Sequence, residues 1–249
     1  MKHCGALRID HIMAMLRLWW CILDSNKQNK GCYVYYPFEE LLALLKLESH
    51  LNQCVVIGED LGVVPTEIKS ALHASDIYSN LLFYFEKSHL GKFISPHDFK
   101  KHAMIMVANH DVPTFKAWWQ TSDINLRNEL ALFVDEDARL NETTQRHCDK
   151  SHLIDWLNQY HYQKDISEFS LDTPHQIIYQ NLLMSLANSD VKLVTIQLDD
   201  LDDNELPANI PGTDKAYSNW RRRLSHLPSE LFSNNDFFKH LNQARNSNE

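Results

Sequence analysis

The chain has 249 residues, with 33 Asp and Glu against 24 Lys and Arg, a formal charge of −9 with histidine neutral. Its 44% hydrophobic and 10% aromatic content supplies a real core and excludes a disordered chain. The acidic balance argues against a nucleic-acid partner, which Lys and Arg would have to hold, so one large domain acting on neutral or small substrates is expected.

Arg8, Asp10 and His11 interrupt the opening residues, which therefore make a poor signal-peptide core. Ala6–Asp10 reads as a first strand. Ile12 to Leu23 is apolar but too short for a membrane span and carries Arg17, so a buried element is expected, with Trp19 and Trp20 in the core. Pro37-Phe38-Glu39-Glu40 followed by Leu41, Leu42, Leu44, Leu45 and Leu47 predicts a helix with a broad apolar face. Cys54–Gly58 is the next strand, and Thr66–Ala74 the next helix, with Thr66 as its cap and Glu67 at the positive end of its dipole. Asn80–Phe85 and Ile105–Ala108 read as further strands, apolar throughout as in a sheet covered on both faces. Residues 121–190 carry helical text (Leu126–Leu132, Leu153–Tyr162, His175–Ala187) and read as a helical insertion. Lys192–Leu198 is the last expected strand, Leu201 to Gly212 a loop, and the tail is helical from about Ser229. The rhythm is βα, which predicts an α/β fold.

Five cysteines without a C-x-x-C pair suit free thiols in a reducing cytoplasm. There is no G-x-S-x-G, P-loop or G-x-G-x-x-G, so acyl transfer and nucleotide binding lack their backbone devices. His50 and Cys54 stand four apart without the further ligands a metal needs.

Asp10, Glu59 and Asp111 each follow an expected strand. In a parallel α/β barrel such positions face a shared catalytic rim. Carboxylates converging there perform retaining glycoside chemistry, one attacking the anomeric carbon and another protonating the departing oxygen. Tyr33, Tyr35 and Tyr36, Trp118-Trp119 and Trp220 offer stacking surfaces for sugar rings.

Five blocks in order, GALRIDHIMAMLRLWW, GCYVYYPFEELLALLKLESH, CVVIGEDLGVVPTEI, NHDVPT and NIPGTDKAYSNWRRRL, make the resemblance specific. The chain resembles the C-terminal half of the bacterial 4-alpha-glucanotransferases (amylomaltases), glycoside hydrolase family 77. The resemblance implies strands four to eight of a TIM (β/α)8 barrel, with residues 1–249 one partial catalytic barrel interrupted by the helical insertion. It implies that Asp10 is the nucleophile, Glu59 the general acid and then base, and Asp111 the third carboxylate. Arg8, His110 and Tyr36 would contact substrate. Arg8 projects to the same side of its strand as Asp10, where its charge keeps the nucleophile ionised. Glu59 must hold a proton near neutrality, which a closing, partly dry cleft supplies. The expected substrates are maltodextrins and a sugar acceptor, with no cofactor, metal or membrane, in the cytoplasm.

Val63, Asn109 and Val112 stand where the family more often has Thr, Thr and Leu. The larger departure is that strands one to three are missing, so a separate N-terminal half of the barrel is an expected partner. The alternative expectation is an inactive fragment or a weak glycan binder.

Overall fold

A computed structural model describes residues 1–23, 29–162, 168–233 and 235–247. The chain divides into two compact units, Met1–Leu81 with His102–Met104, and Leu82–Lys101 with Ile105–Glu249.

Unit 1 begins with β1 (Ala6–Ile9), a 3-10 turn (Ile12–Met15), and the strands β2 (Arg17–Leu23) and β3 (Asn29–Tyr35). Then come α1 (Phe38–Asn52), β4 (Val55–Gly58), α2 (Thr66–Ala74) and β5 (Tyr78–Leu82). β1 runs parallel to β4 from Ala6↔Val55 to Ile9↔Gly58, and β4 parallel to β5 through Ile57↔Tyr78 and Gly58↔Ser79. Ser79 N–H donates to the His102 carbonyl at 3.1 Å, at the upstream end of β6 (Ala103–Met106). Parallel neighbours require crossovers, and α2 supplies the one between β4 and β5. Ile12, Met13, Phe38, Leu42, Val56, Ile68, Leu72 and Ile77 form one apolar cluster; each such side chain contributes about 1.5–3 kcal/mol on burial.

α1 begins after Pro37 with Glu39 and Glu40 in its first turn and stops at Gln53, which adopts φ 49°. Its apolar face is only partly covered: Phe38 and Leu42 are buried, whereas Leu44, Leu47 and Leu51 are more than half exposed. α2 has the expected bounds, but Pro65 occupies the cap position and Thr66 is the first helical residue, with no side-chain cap bond.

The greasy Ile12 to Leu23 stretch is not one buried element. Its first residues turn inward as the 3-10 helix, and the rest pairs antiparallel with β3, from Arg17↔Tyr35 to Leu23↔Asn29. Trp19 and Trp20 are about half exposed, at 54% and 50%, rather than core residues. A two-stranded ribbon has no second layer of its own, so its aromatics cover one another instead. Trp19 meets Tyr33 edge-on at 5.0 Å, and the Arg17 guanidinium lies 4.2 Å from the centre of the Tyr33 ring. Gly31 lets the Trp19 indole lie against the backbone, since a Cβ there would sit 2.4 Å from it and force the ring to move.

Unit 2 contains α3 (Phe115–Gln120), α4 (Ser122–Glu129), α5 (Glu136–Tyr160), α6 (His175–Ala187), β7 (Leu193–Val194), α7 (Leu198–Leu201), α8 (Pro228–Leu231) and α9 (Asn235–Asn246). Lys192 N–H donates to the Lys101 carbonyl and Thr195 N–H to that of Ile105, one bond on either side of β7. Phe83, Phe115, Ile124, Leu153, Leu157, Ile178 and Leu182 are fully buried.

Three strand expectations are corrected. The Asn80–Phe85 strand is Tyr78–Leu82, because Phe83–Phe85 winds into a 3-10 helix with Phe83 stacked on Phe93 at 4.5 Å. The Ile105–Ala108 strand lies two residues earlier. The Lys192–Leu198 strand shrinks to two residues, since Leu198 already begins α7. Between 121 and 190 the described residues hold α4, α5 and α6 and no strand. Asp135 caps α5 by accepting from Ala138 N–H at 2.7 Å. No helix among the described residues is long and apolar enough to cross a membrane.

Candidate active site

In unit 1 the downstream ends of β1 and β4 carry three acids, Asp10, Glu59 and Asp60, and β5 supplies polar partners through Ser79 and Asn80. Glu59 follows β4, its N–H donates to the Ile9 carbonyl at 2.9 Å, and its own carbonyl accepts from Ile12 N–H at 3.1 Å. The backbone therefore fixes Glu59 beside the end of β1. Its buried side chain, 8% exposed, accepts from His11 N–H (2.8 Å, Oε2) and Leu61 N–H (2.7 Å, Oε1). His11 reaches that carboxylate from a left-handed conformation, φ 47°. Gly58 permits the approach, because a Cβ there would meet the Ile12 side chain at 3.0 Å.

Asp10 stands one residue past β1, with its side chain 69% exposed and Oδ1 2.9 Å from Arg8 Nη1. Arg8 Nε in turn donates to Asn80 Oδ1 at 2.9 Å, so the guanidinium bridges β1 and β5. The ion pair fixes one side of the Asp10 carboxylate and leaves most of it open to a ligand. Asp60, next to Glu59, is consumed by the protein: Ser79 Oγ donates to Oδ2 at 2.9 Å and Asn80 N–H to Oδ1 at 3.0 Å. Tyr36 follows the β2–β3 hairpin; its N–H donates to the Leu16 carbonyl and its hydroxyl accepts from Trp20 Nε1 at 2.9 Å.

In unit 2, Asp111 lies on the loop between β6 and α3 with its side chain 47% exposed. Asn209 Nδ2 donates to Oδ1 at 2.7 Å, His110 Nε2 lies 3.2 Å from Oδ2, and Asp111 N–H donates to Asn109 Oδ1 at 2.9 Å. The His110 ring lies 5.1 Å from that of Trp220, an exposed residue at φ 61°. Asp111 also lines a cavity of about 570 Å³ with Tyr84, Phe85, Trp118, Arg127 and Pro211. Carboxylates hold sugar hydroxyls and flat apolar rings hold sugar faces, so this wall suits a polyhydroxylated ligand.

Sequence reasoning singled out the three carboxylates, Arg8 and His110 but not Asn80 and Asn209, which bond to Arg8 and to Asp111. Each is joined to its partner over a long separation, 72 residues for Arg8–Asn80 and 98 for Asp111–Asn209, and no local pattern marks such a residue. Among the described residues no group of three His, Cys, Asp or Glu is placed to hold a metal ion.

The sequence profile of glycoside hydrolase family 77, described as 4-alpha-glucanotransferase, matches residues 1–228. The 4-alpha-glucanotransferase of Haemophilus influenzae is 35% identical over 254 residues, covering 99% of this chain and 36% of its own. That of Mycobacterium bovis is 26% identical over 229 residues, covering 90% and 31%. Among solved structures, amylomaltase from Corynebacterium glutamicum superposes with a TM-score of 0.82 at 22% identity, over 98% of this chain and 36% of that one. Amylomaltase from Streptococcus agalactiae in complex with acarbose gives 0.64 at 18% identity, over 97% and 41%. The chain spans about a third of the length of these two curated relatives.

Proposed function

Because the chain belongs to glycoside hydrolase family 77, the 4-alpha-glucanotransferases, we propose that it carries the catalytic carboxylates of an enzyme that moves α-1,4-glucan segments between maltodextrins. The observation that carries this reading is the pairing at the ends of β1 and β4: an open Asp10 paired with Arg8, and a buried Glu59 held at the neighbouring strand end by backbone N–H groups.

In the proposed reaction Asp10 attacks the anomeric carbon of the donor sugar while Glu59 gives its proton to the departing glycosidic oxygen, leaving a covalent glucosyl-enzyme. Glu59, now a base, takes the proton of the acceptor's 4-hydroxyl, which displaces Asp10 with net retention. Asp111 and His110 hold sugar hydroxyls, and Tyr36 offers a ring face. Transfer outruns hydrolysis when the acceptor excludes water from the glucosyl-enzyme. Residues 1–249 are read as strands four to eight of a (β/α)8 barrel, with 121–190 as a helical insertion. The first strands would come from a longer polypeptide or a separate N-terminal half. No cofactor is required, and the proposed compartment is the cytoplasm.

A second reading, an inactive fragment or weak glycan binder, is favoured by the 36% share of the Haemophilus influenzae relative that the chain covers. Chromatography of maltotriose products separates the two. Glucose together with longer maltodextrins, from the chain alone or co-expressed with an N-terminal half of the family, supports the transferase. Glucose alone would indicate a hydrolase, and no product in either setting would favour the inactive fragment.

A further inference from the structure

At the end of unit 1 opposite its carboxylates, the fold brings two thiols together. Cys4 precedes β1 and Cys54 precedes β4, and the Gly5 carbonyl accepts from Val55 N–H at 2.9 Å, extending the parallel ladder upstream of Ala6↔Val55. Their Sγ atoms lie 3.7 Å apart. A disulfide needs an S–S distance of about 2.0 Å and Cα atoms within about 4.4–6.8 Å. Neighbouring strands run about 4.8 Å apart, and the chain bends at Gly5, so rotation of the Cys4 side chain with a small backbone shift closes the gap.

The two thiols are not equivalent. Cys4 is exposed, whereas Cys54 is 2% exposed. Burial, reinforced by the Cys4 thiol beside it, pushes the Cys54 thiol up. Cys4 is therefore the thiol that meets a reagent first, and Cys54 the one that resolves the product. Cys54 also borders a cavity of about 590 Å³ lined in addition by Lys46, His50, Tyr78 and His102, but almost none of its own surface is open to it. Cys21 and Cys32 offer no such pairing: Cys21 is opposite Gly31 and Cys32 opposite Trp20, so their side chains leave opposite faces of the ribbon.

We propose that Cys4 and Cys54 are a reversible thiol–disulfide site that staples β1 to β4 when a small-molecule disulfide such as glutathione disulfide is present. The Cys4 thiolate attacks one sulfur of that disulfide, forming a mixed disulfide and releasing one small thiolate, which takes up a proton. The Cys54 thiolate then attacks Cys4 Sγ, forms the Cys4–Cys54 bond and expels the second small thiolate, which is protonated in turn. Two protein thiols are oxidised and one small disulfide is reduced to two thiols, with both protons ending on the products. The bond closes the loop that contains β2, β3 and α1, so it restricts the unfolded chain and raises stability. It lies at the far end of the strands from Asp10 and Glu59 and is independent of the glucan chemistry.

The test is peptide mapping of the full chain after incubation with glutathione disulfide at neutral pH and acid quenching. The expected result is a Cys4–Cys54 linked peptide that dithiothreitol removes, in the wild type and in a Cys21→Ser/Cys32→Ser/Cys148→Ser variant, with a melting temperature higher by several degrees in the linked form. Cys54→Ser should trap the glutathione adduct on Cys4, and Cys4→Ser should leave Cys54 unmodified. A wild-type adduct that persists on Cys4 without a linked peptide would overturn the proposal, and the wild-type map decides this even if a variant fails to fold. A linked form that melts with the reduced one would overturn the staple.

Discussion

Two clusters of acids, one in each unit, use the same residue types for opposite ends. In unit 1, Glu59 and Asp60 are held by backbone and side-chain donors, while the Asp10 carboxylate at the end of β1 stands mostly in the open with one arginine beside it. In unit 2, Asp199, Asp200, Asp202 and Asp203 run along α7 and the turn after it, and each is taken up by the protein. Asp199 pairs with Arg222, and Asp200 accepts from Phe115 N–H at 2.6 Å. Asp202 accepts from Ser225 N–H and lies 2.7 Å from His226 Nδ1; Asp203 accepts from Lys116 at 2.9 Å and lies 2.6 Å from His175 Nε2. Burial pushes Asp200 up to about 7, a shift that by itself would advertise a catalytic acid. Its geometry says otherwise, since it ties α7 to the first residue of α3. A carboxylate is available as a nucleophile when it is fixed by its neighbours yet still has an oxygen facing solvent, and Asp10 meets that test.

The largest expected effect breaks the comparison on the chemical side. If Asp10 is the nucleophile as proposed, Asp10→Asn in the complemented or full-length enzyme should lower transfer by on the order of 10⁴-fold while leaving the unfolding midpoint near the wild-type value, because an exposed carboxylate contributes little to folding. Trapping with a fluorinated glucosyl donor should label wild type and not the variant. Near-wild-type turnover by Asp10→Asn would end the nucleophile assignment.

Next in size is a buried ion pair. Arg146, buried on α5, donates to both oxygens of the buried Asp123 at 2.6 and 2.9 Å and to the Trp118 carbonyl at 2.8 Å. Arg146→Met leaves the buried Asp123 carboxylate, among the described residues, with only Arg127 as an ion-pair partner, 3.8 Å away, and should cost about 3 kcal/mol in urea denaturation. Adding Asp123→Leu should return part of that loss. A single-variant loss below about 1 kcal/mol would mean that the pair behaves like a surface ion pair.

Asp200 gives the pH dependence. Its carboxyl is raised to about 7 in the folded chain from an ordinary value of 3.8, mainly by burial, so between those limits the folded chain binds the extra proton. Its contribution to stability is therefore neutral below about pH 4, becomes unfavourable as pH rises, and reaches a penalty of a few kcal/mol above about pH 7. Asp200→Asn keeps an acceptor for Phe115 N–H and removes the titration. The variant should gain on wild type progressively across that window, and parallel stability curves would exclude this origin.

The sequence was most readable where local chemistry decides. Thr66–Ala74 and His175–Ala187 have the expected bounds because a proline fixes each entry, and Arg8 was legible because strand alternation puts it on the same side as Asp10. Reading failed where distant parts decide. Leu198 looks like the end of a strand, yet Asp200 is claimed by Phe115 N–H and the segment winds into α7. Trp19 and Trp20 look like core, yet their stretch pairs with β3 as a ribbon with no second layer of its own. Asn80 and Asn209 carry no local mark at all.

The sharpest version of the comparison lies between adjacent residues. Glu59 and Asp60 share one turn, one sign and similar surroundings, and both accept two hydrogen bonds. What differs is what the donors do. Those on Glu59 come from the backbone of its own loop and of His11, and they orient the carboxyl beside β1. Those on Asp60 are the Ser79 hydroxyl and Asn80 N–H, which fasten β5 and so hold the asparagine that steadies Arg8. In the proposed reaction Glu59→Gln removes the proton that reaches the glycosidic oxygen, and it should reduce transfer by about 10²–10⁴-fold. In Asp60→Asn the amide oxygen still accepts from Asn80 N–H, and its NH₂ can donate to a reoriented Ser79 hydroxyl. Only the charge assistance is lost, about 1 kcal/mol of stability, with turnover changed by no more than a few-fold. If the two variants lose activity equally, the acid in this pair is not assigned by its donors, and Asp60 belongs to the chemistry as much as Glu59.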